Sequence, residues 1–366
     1  MDPMKPIPAL IALPQRTSLV KQVTETLRAG LARGLWQERL PGERDLCQQL
    51  NVSRPTLRAA LTVLEREGWL KSAPGCVRAI VRRARGAAGP GTPIVRLLVP
   101  FRLQEAPQSI FYWVDKLRTL LPAAGCALEI HSGPRWYAGR PEQELAQLAR
   151  QMPAAAWVVA RTTEPMQRWF AAQGLPCVVA GSCYPGVNLP SADFDHRAVA
   201  QHAARQLLAC GHRRLALLIQ TPEMAGDLES EAGFNEVFPP GAPTEAGVLM
   251  ARHDGTLPDI RHQLDRLLGL RPAPTGFFVL RAMSALAVVS ELTRRGFRLP
   301  ADLAVISRDS DHFLGYFSPE PARYANDPDR FARRLATMVI KLAQEGAVPQ
   351  RQVRLMPRFI KGETLG

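Results

Sequence analysis

The sequence has little of what marks several large protein classes. No uninterrupted apolar stretch approaches the ~18 residues of a membrane-spanning helix, so no membrane partner is expected. The opening residues, Met1 to Pro14, are apolar in places but broken by Pro3, Pro6, Pro8 and Pro14. They lack the continuous apolar region of an export signal, which points to the cytoplasm. The six cysteines include no C-x-x-C pair and have no paired histidines nearby. That spacing argues against a zinc site and against a disulfide framework, and leaves free thiols in a reducing compartment. There is no G-x-x-x-x-G-K-[S/T] loop, no H-E-x-x-H, no G-x-S-x-G and no strand-linked G-x-G-x-x-G. Nothing therefore nominates a catalytic residue, a metal or a cofactor. Lysine is scarce too, since 40 of the 46 basic residues are Arg, a preference that coding bias alone would explain.

What is present is an uneven charge. The chain of 366 residues carries a net +13. Met1 to Gly86 hold 15 basic against 7 acidic residues, whereas the remaining 280 hold 31 against 26. Coding bias does not explain clustering. A compact basic segment attracts polyanions by releasing their counterions, so double-stranded DNA is the first partner to consider.

Three segments follow from the pattern: 1–83, 84–93 and 94–366. The middle one reads A-R-G-A-A-G-P-G-T-P, which holds neither helix nor strand and serves as a linker. In the first, Leu19, Val23, Leu27 and Leu31 recur at helical spacing. A second helix runs from about Glu43 to Leu50, with Leu46 and Leu50 inward. After a turn at Asn51-Val52, Ser53 is placed to cap a third helix. Pro55 sits in that helix's first turn, where a missing N–H costs little. Leu57, Leu61 and Leu64 form its buried stripe, leaving Arg54, Thr56 and Arg58 at the exposed N-terminal end. Helix, short turn and helix place the last helix in a major groove, where Arg can grip a guanine bidentately. Trp69 to Ile80 then reads as strand, turn and strand: a wing with Pro74-Gly75 at its tip and Lys71 and Arg78 near phosphates.

The run L-P-G-E-R-D-L-C-Q-Q-L-N-V-S-R-P-T-L-R-A-A-L-T-V-L-E-R-E-G-W-L resembles the winged helix-turn-helix of GntR-family regulators, over about Ser18–Ile80. The resemblance implies DNA contacts from Arg44, Arg54, Pro55, Thr56 and Arg58, with the Pro74-Gly75 tip at the minor groove. Pro55 stands where the family commonly has a polar residue.

The third segment alternates short apolar runs with amphipathic stretches. Strands are expected at Ile94–Val99, Ala127–His131, Ala154–Ala160, Cys177–Ala180, Arg214–Ile219, Gly276–Leu280 and Leu303–Ile306. Helices are expected at Ser109–Ala124, Arg197–Cys210, Met283–Arg295 and Asp327–Gln344, with a weaker signal at Glu229–Phe238. Such alternation implies parallel sheets covered on both faces, and the length fits two of them.

Four stretches in this segment share a second resemblance: Phe194-Asp195-His196 with the later G-H-R-R-L-A-L-L-I, then Gly233-Phe234, P-T-G-F-F-V-L-R-A-M-S-A-L-A, and G-F-R-L-P-A-D-L-A-V-I-S-R-D-S-D. Together they are similar to the effector domain of LacI/GalR-type regulators, a periplasmic-binding-protein-like fold. The resemblance implies two Rossmann-like lobes, a ligand cleft between them and a homodimer. By family pattern one lobe holds Ile94–Cys210 plus the Asp327–Gln344 helix, and the other holds Gly211–Asp309 and the extreme C-terminus. Asp309 occupies the position of an Asp that binds ligand hydroxyls. The usual Asn-Asp pair reads Arg281-Ala282, and the usual Arg before the Gly-Phe pair reads Ser230. The effector is a sugar or an anionic metabolite: the loss of paired polar groups speaks against a neutral sugar, and Arg281 inside the cleft suits an anion. Tyr112, after the first strand, is a candidate ligand contact, as are its neighbours Ser109 and Phe111. Asp195 either caps its helix or lines the cleft.

The expected fold class is α/β: an N-terminal winged helix-turn-helix followed by a two-lobed Rossmann-like domain. The expected function is a sequence-specific transcriptional regulator, a repressor more readily than an activator, controlled by a small-molecule effector. The alternative is a ligand-independent DNA-binding regulator whose C-terminal domain only dimerises.

Overall fold

The computed structural model describes residues 19–32, 36, 40–67, 69–71, 78–80, 92–102, 105–238, 247–348 and 351–366. Its contacts divide the chain into two units, Met1–Ala87 and Ala88–Gly366. Most of the linker expected at 84–93 lies outside the described residues.

In the first unit, α1 (Leu19–Ala32), α2 (Glu43–Leu50) and α3 (Arg54–Arg66) pack around one core. Val23, Leu27 and Leu31 of α1 meet Leu46 of α2 and Leu57, Ala60, Leu61 and Leu64 of α3. The apolar face of α1 differs from expectation at one end. Leu19 is exposed and Val20 packs against the core instead. Arg28 of α1 pairs with Glu67 at the end of α3, at 2.7 Å. Asn51 ends α2 with a left-handed backbone (φ 51°), a conformation Asn tolerates because its short polar side chain bonds locally. The wing is present as β1 (Leu70–Lys71) paired antiparallel with β2 (Ala79–Ile80). Its tip, with Pro74 and Gly75, lies outside the described residues.

The second unit holds two six-stranded sheets. The first contains β3 (Ile94–Val99), β4 (Ala127–Ser132), β5 (Ala156–Ala160), β6 (Cys177–Ala180), β7 (Ser191–Phe194) and β13 (Gln352–Leu355). All of its pairings are parallel, in the order β13-β7-β6-β5-β3-β4. Side chains alternate across a strand, and β3 shows it. Val95, Leu97 and Val99 face α4 (Gln108–Ala123) and α11 (Pro328–Glu345), while Leu98 faces α5 (Glu142–Gln151) and α6 (Glu164–Gln173).

The second sheet contains β8 (Arg214–Gln220), β9 (Gly247–His253), β10 (Gly276–Val279), β11 (Ala304–Ser307), β12 (Ala322–Ala325) and β14 (Arg358–Ile360), in the order β14-β12-β11-β10-β8-β9. Only β14 runs antiparallel to its neighbour. Leu215, Leu217 and Ile219 of β8 pack with α7 (His196–Ala209) and with Phe234 of α8 (Ala225–Asn235). Ala216 and Leu218 pack instead with α9 (Leu257–Leu268) and α10 (Ala282–Arg294).

This partition corrects the expected lobe boundary. The family pattern placed everything up to Cys210 in the first lobe. Instead α7 buries Val199, Ala200, Ala203, Ala204 and Leu207 against the second sheet, so the chain changes lobe at Asp195. It crosses back between β12 and α11, and again between β13 and β14. The first two crossings each end in an aspartate that caps the next helix. Asp195 accepts from the Ala198 N–H at 3.0 Å, and Asp327 from the Arg330 N–H at 2.9 Å.

Candidate functional site

The first candidate surface is the front of α3. Ser53 caps the helix, its Oγ accepting from the Thr56 N–H at 3.4 Å and lying 2.9 Å from the Thr56 hydroxyl. With Leu57, Ala60, Leu61 and Leu64 buried, helical geometry turns Arg54, Pro55 and Arg58 outward, and all three are exposed. Thr56 is half-buried. Arg44 is exposed in the first turn of α2. Arg44 and Arg54 have no carboxylate partner among the described residues, so both guanidinium groups are available to an incoming polyanion. Lys71 is exposed on the wing.

The other two cations of the set are engaged. Glu43 accepts from Arg58 Nε at 2.9 Å and from Arg78 at 2.7 Å. Arg78 also donates to Glu65 at 2.6 Å. Hydrogen bonding from Arg78 outweighs desolvation and, together with Arg58, holds the Glu43 carboxyl below its ordinary range. The half-buried Arg78, expected at a phosphate, therefore braces the wing against α2 and α3. Arg58 keeps 64% of its side chain in solvent despite its partner.

The second candidate site lies between the two lobes of the second unit. In each sheet the order of strands reverses beside the first strand, at β3/β5 and β8/β10. In open parallel sheets ligands bind in the crevice at the carboxyl ends of the strands around that point. The carboxyl ends of the two sheets share one cavity of about 590 Å³. Its walls include Tyr112, Trp113, Arg161, Ser182, Asp193, Phe194, His196, Arg281, Arg308, Asp309 and Phe331. Volumes of this order suit a small molecule.

The floor on the second-lobe side is an ion network centred on the buried Asp227. Arg281 donates to it through two nitrogens, at 2.9 and 2.6 Å, and Arg308 at 2.8 Å. The Asp227 carboxylate also accepts from the Met224 N–H at 2.9 Å. Burial alone would raise its pKa, but Arg308 and Arg281 hold the carboxyl well below the usual range. Arg308 bridges onward to Asp309 at 3.0 Å. On the first-lobe side, Asp193 faces His196 at 3.2 Å and accepts from the Ser182 hydroxyl at 2.7 Å and the Phe194 N–H at 2.8 Å. Desolvation is overcome by these partners, His196 foremost, and the Asp193 carboxyl is lowered to about 2. Gly226 is required by this arrangement, since a Cβ there would stand 2.6 Å from the His196 ring.

The expected ligand residues divide. Asp309, Arg281 and Tyr112 line the cavity, as does Ser109, whereas Phe111 is exposed elsewhere. Ser230 is not at the surface of the cleft. It is fully buried beneath the floor, where its Oγ donates to Gly226 O at 2.9 Å and accepts from Arg308 at 3.1 Å. Asp195 serves as the helix cap already described. Arg281 is also less free than its position in sequence implied, because Asp227 occupies both of its terminal nitrogens. Arg161, Asp193, Asp227 and Arg308 were missed. Asp227 lies just ahead of the weak helical signal at Glu229–Phe238, and Arg161 is merely the residue that follows an apolar strand. Arg308, however, stands beside Asp309 in a run already singled out. Among the described residues no group of three or more His, Cys, Asp or Glu could hold a metal ion, and no helix is long and apolar enough to cross a membrane.

Residues 19–76 match the family model of bacterial regulatory proteins, gntR family, and residues 204–365 match a periplasmic binding protein-like domain. Among curated proteins, the HTH-type transcriptional regulator CelR of Thermobifida fusca is 24% identical over 194 residues, covering 52% of this chain and 57% of that protein. The HTH-type transcriptional repressor CytR of Escherichia coli (strain K12) is 26% identical over 149 residues, covering 39% and 42%. The chain thus spans about half the length of the curated relatives it matches. Among solved structures, a transcriptional regulator CelR–cellobiose complex aligns with a TM-score of 0.63 at 18% identity, over 95% of this chain and all of that one. A regulatory protein of the LacI family from Chloroflexus aggregans aligns with a TM-score of 0.64 at 19% identity, over 75% of this chain and 98% of that one. These likenesses show the fold. The chain therefore joins a gntR-type helix-turn-helix domain to a periplasmic binding protein-like domain.

Proposed function

We propose that this chain is a cytoplasmic, sequence-specific DNA-binding transcriptional regulator, acting as a homodimer, whose hold on its operator is set by a small molecule in the interlobe cleft. The reader comprises residues 1–83, a linker 84–93, and the sensor 94–366. The observation that carries the reading is the front of α3, where Arg54 stands in solvent with no carboxylate partner among the described residues, beside the exposed Pro55 and Arg58. Arg54 and Arg58 read base edges in the major groove, and Arg44 and Lys71 meet the backbone. Ser53 and Thr56 hold the front of the helix in shape. The sequence assigns Pro74 and Gly75, which lie outside the described residues, to a minor-groove contact.

The cleft supports the second half of the reading. A cavity walled by both lobes gives a ligand different contacts in open and closed arrangements, and only such a difference shifts an equilibrium. The structural neighbour bound to cellobiose supports an effector over a purely dimerising domain. A dimer places two readers on half-sites about one helical turn, or a multiple of it, apart. Repression is the simpler outcome, because an occupied operator excludes polymerase without further parts.

Selection of bound duplexes from a random pool, mapped back to the source genome, tests this. The expected result is one enriched sequence with two related half-sites. Equal retention of all sequences, or no retention in dilute buffer, overturns it.

A further inference from the structure

We infer that the molecule taken up by the cleft carries an anionic group, a carboxylate or a phosphate, received by the guanidinium of Arg161. This rests on the reading of the cleft as an effector site and names the chemical class that the site selects.

The cleft wall carries charges of both signs. The arginines on the cavity wall are Arg161, Arg281 and Arg308, and the aspartates are Asp193, Asp227, Asp309 and Asp311. Arg281 and Arg308 are matched by Asp227 and Asp309, through contacts of 2.6 to 3.8 Å. Asp193 is held by His196, and Asp311 faces His312 at 2.8 Å. Arg161 has neither hydrogen-bond nor ion-pair partner among the described residues. It still meets solvent in the open cleft, yet burial by the cleft walls and then the neighbouring Arg281 push its pKa down against the opposing pull of Asp309 and Asp227, so its position disfavours a cation without a direct partner. Its backbone is also unusual, with φ at 55°. A non-glycine residue in the left-handed region is held there at a cost, and such costs gather at ligand clamps.

The place of Arg161 is the other half of the case. It follows the last residue of β5, beside β3, at the point where the strand order of the first sheet reverses. A planar guanidinium there offers two parallel donors, a geometry that matches carboxylate or phosphate oxygens. A neutral sugar would leave that guanidinium without a direct ion-pair partner as the lobes close around it. With an anion in place every cation on the wall has a counter-charge.

Calorimetry on the full-length protein at constant ionic strength tests the assignment. Acetate and inorganic phosphate serve as minimal probes, with glucose, gluconate and glucose 6-phosphate as a matched neutral and charged set. Gluconate or glucose 6-phosphate is expected to bind at least about tenfold more tightly than glucose, and the preferred member shows whether carboxylate or phosphate is taken. Arg161→Gln is expected to weaken the charged ligand about 10- to 100-fold while leaving glucose unchanged. Arg161→Lys retains part of the charge preference and carries the test should the glutamine variant not fold. Equal affinity for glucose and its charged counterparts, unaltered in Arg161→Gln, overturns the anionic class and leaves the cleft a ligand site. Absence of heat from every probe overturns it as well, because such a site also takes the minimal anions at millimolar concentration. Neither result touches the DNA-binding reading, which pool selection on the same protein judges separately.

Discussion

Arg54 enters solvent directly after the Ser53 cap and pairs with no carboxylate among the described residues. Arg54→Ala is therefore expected to leave the urea-unfolding midpoint unchanged, to cost about 1–3 kcal/mol of operator binding and to relax preference at one base. A titration at fixed salt, repeated on operators altered at single positions, reads both effects. Asp193 gives a second expectation at this scale. Its carboxyl is lowered to about 2 from an ordinary 3.8, so the folded state gains stability from it above the ordinary value. That gain, ~2 kcal/mol, disappears as pH falls through the folded value. Acid unfolding is expected to steepen between about pH 4 and pH 2, and Asp193→Asn to flatten that limb in denaturant series at each pH. Single residues were the least legible part of the sequence. Arg54 was readable because a capping serine and an apolar stripe fixed its direction. Arg161 was not, because its meaning comes from what fails to pair with it across a fold of distant segments. Arg281 was read as a free cation for the same reason, since its partner Asp227 lies 54 positions away.

At the scale of elements, the close approach of α7 and α8 has a definite cause. A Cβ on Gly233 would stand 2.3 Å from the backbone oxygen of Arg197, so the two helices are spaced by the absence of a side chain. Gly233→Ala is expected to force them apart and to destabilise the protein by about 1–3 kcal/mol despite the better helix propensity of alanine. A shift in the urea midpoint checks it, and an unchanged midpoint would show the pair to be loosely packed. Element type was legible wherever the pattern was dense. β3 and β6 were read from the sequence with the ends they have in the fold, as Ile94–Val99 and Cys177–Ala180. The strand β9 and the helix α9 were not named. Gly247–His253 carries Arg252 and His253 into a strand, and the helix Leu257–Leu268 has charged residues on most of its turns, so neither reads as an apolar run. The edge strands β13 and β14 escaped because arginine and glutamine interrupt them. The misplacement of α7 was a different error. Local pattern gives a helix, but which sheet it covers depends on where the chain turns, and only the capping Asp195 marks that turn.

For the sensor as a whole, three crossings join the lobes, each only a few residues long. A few loop residues at each crossing can absorb the backbone change of a hinge. A bound effector that bridges the lobes is expected to shrink the radius of gyration of the isolated second unit, measured by small-angle scattering with and without the molecule found by calorimetry. An unaltered scattering curve at saturation would argue against closure as the coupling event.

The last of those crossings has a consequence for how the protein is made. Its strands β13 and β14 finish different sheets, so neither lobe is complete until the ribosome has passed residue 360. The helical reader, built from consecutive residues, can settle while synthesis continues. Stalling translation near residue 345 and challenging the nascent chain with protease should thus leave a protected fragment from the reader and digest both halves of the sensor. A sensor fragment resistant at that stage would mean that its last strands are ornamental. Because both lobes wait on the same late strands, a frameshift confined to the final coding stretch would cost the cell the entire sensor at once.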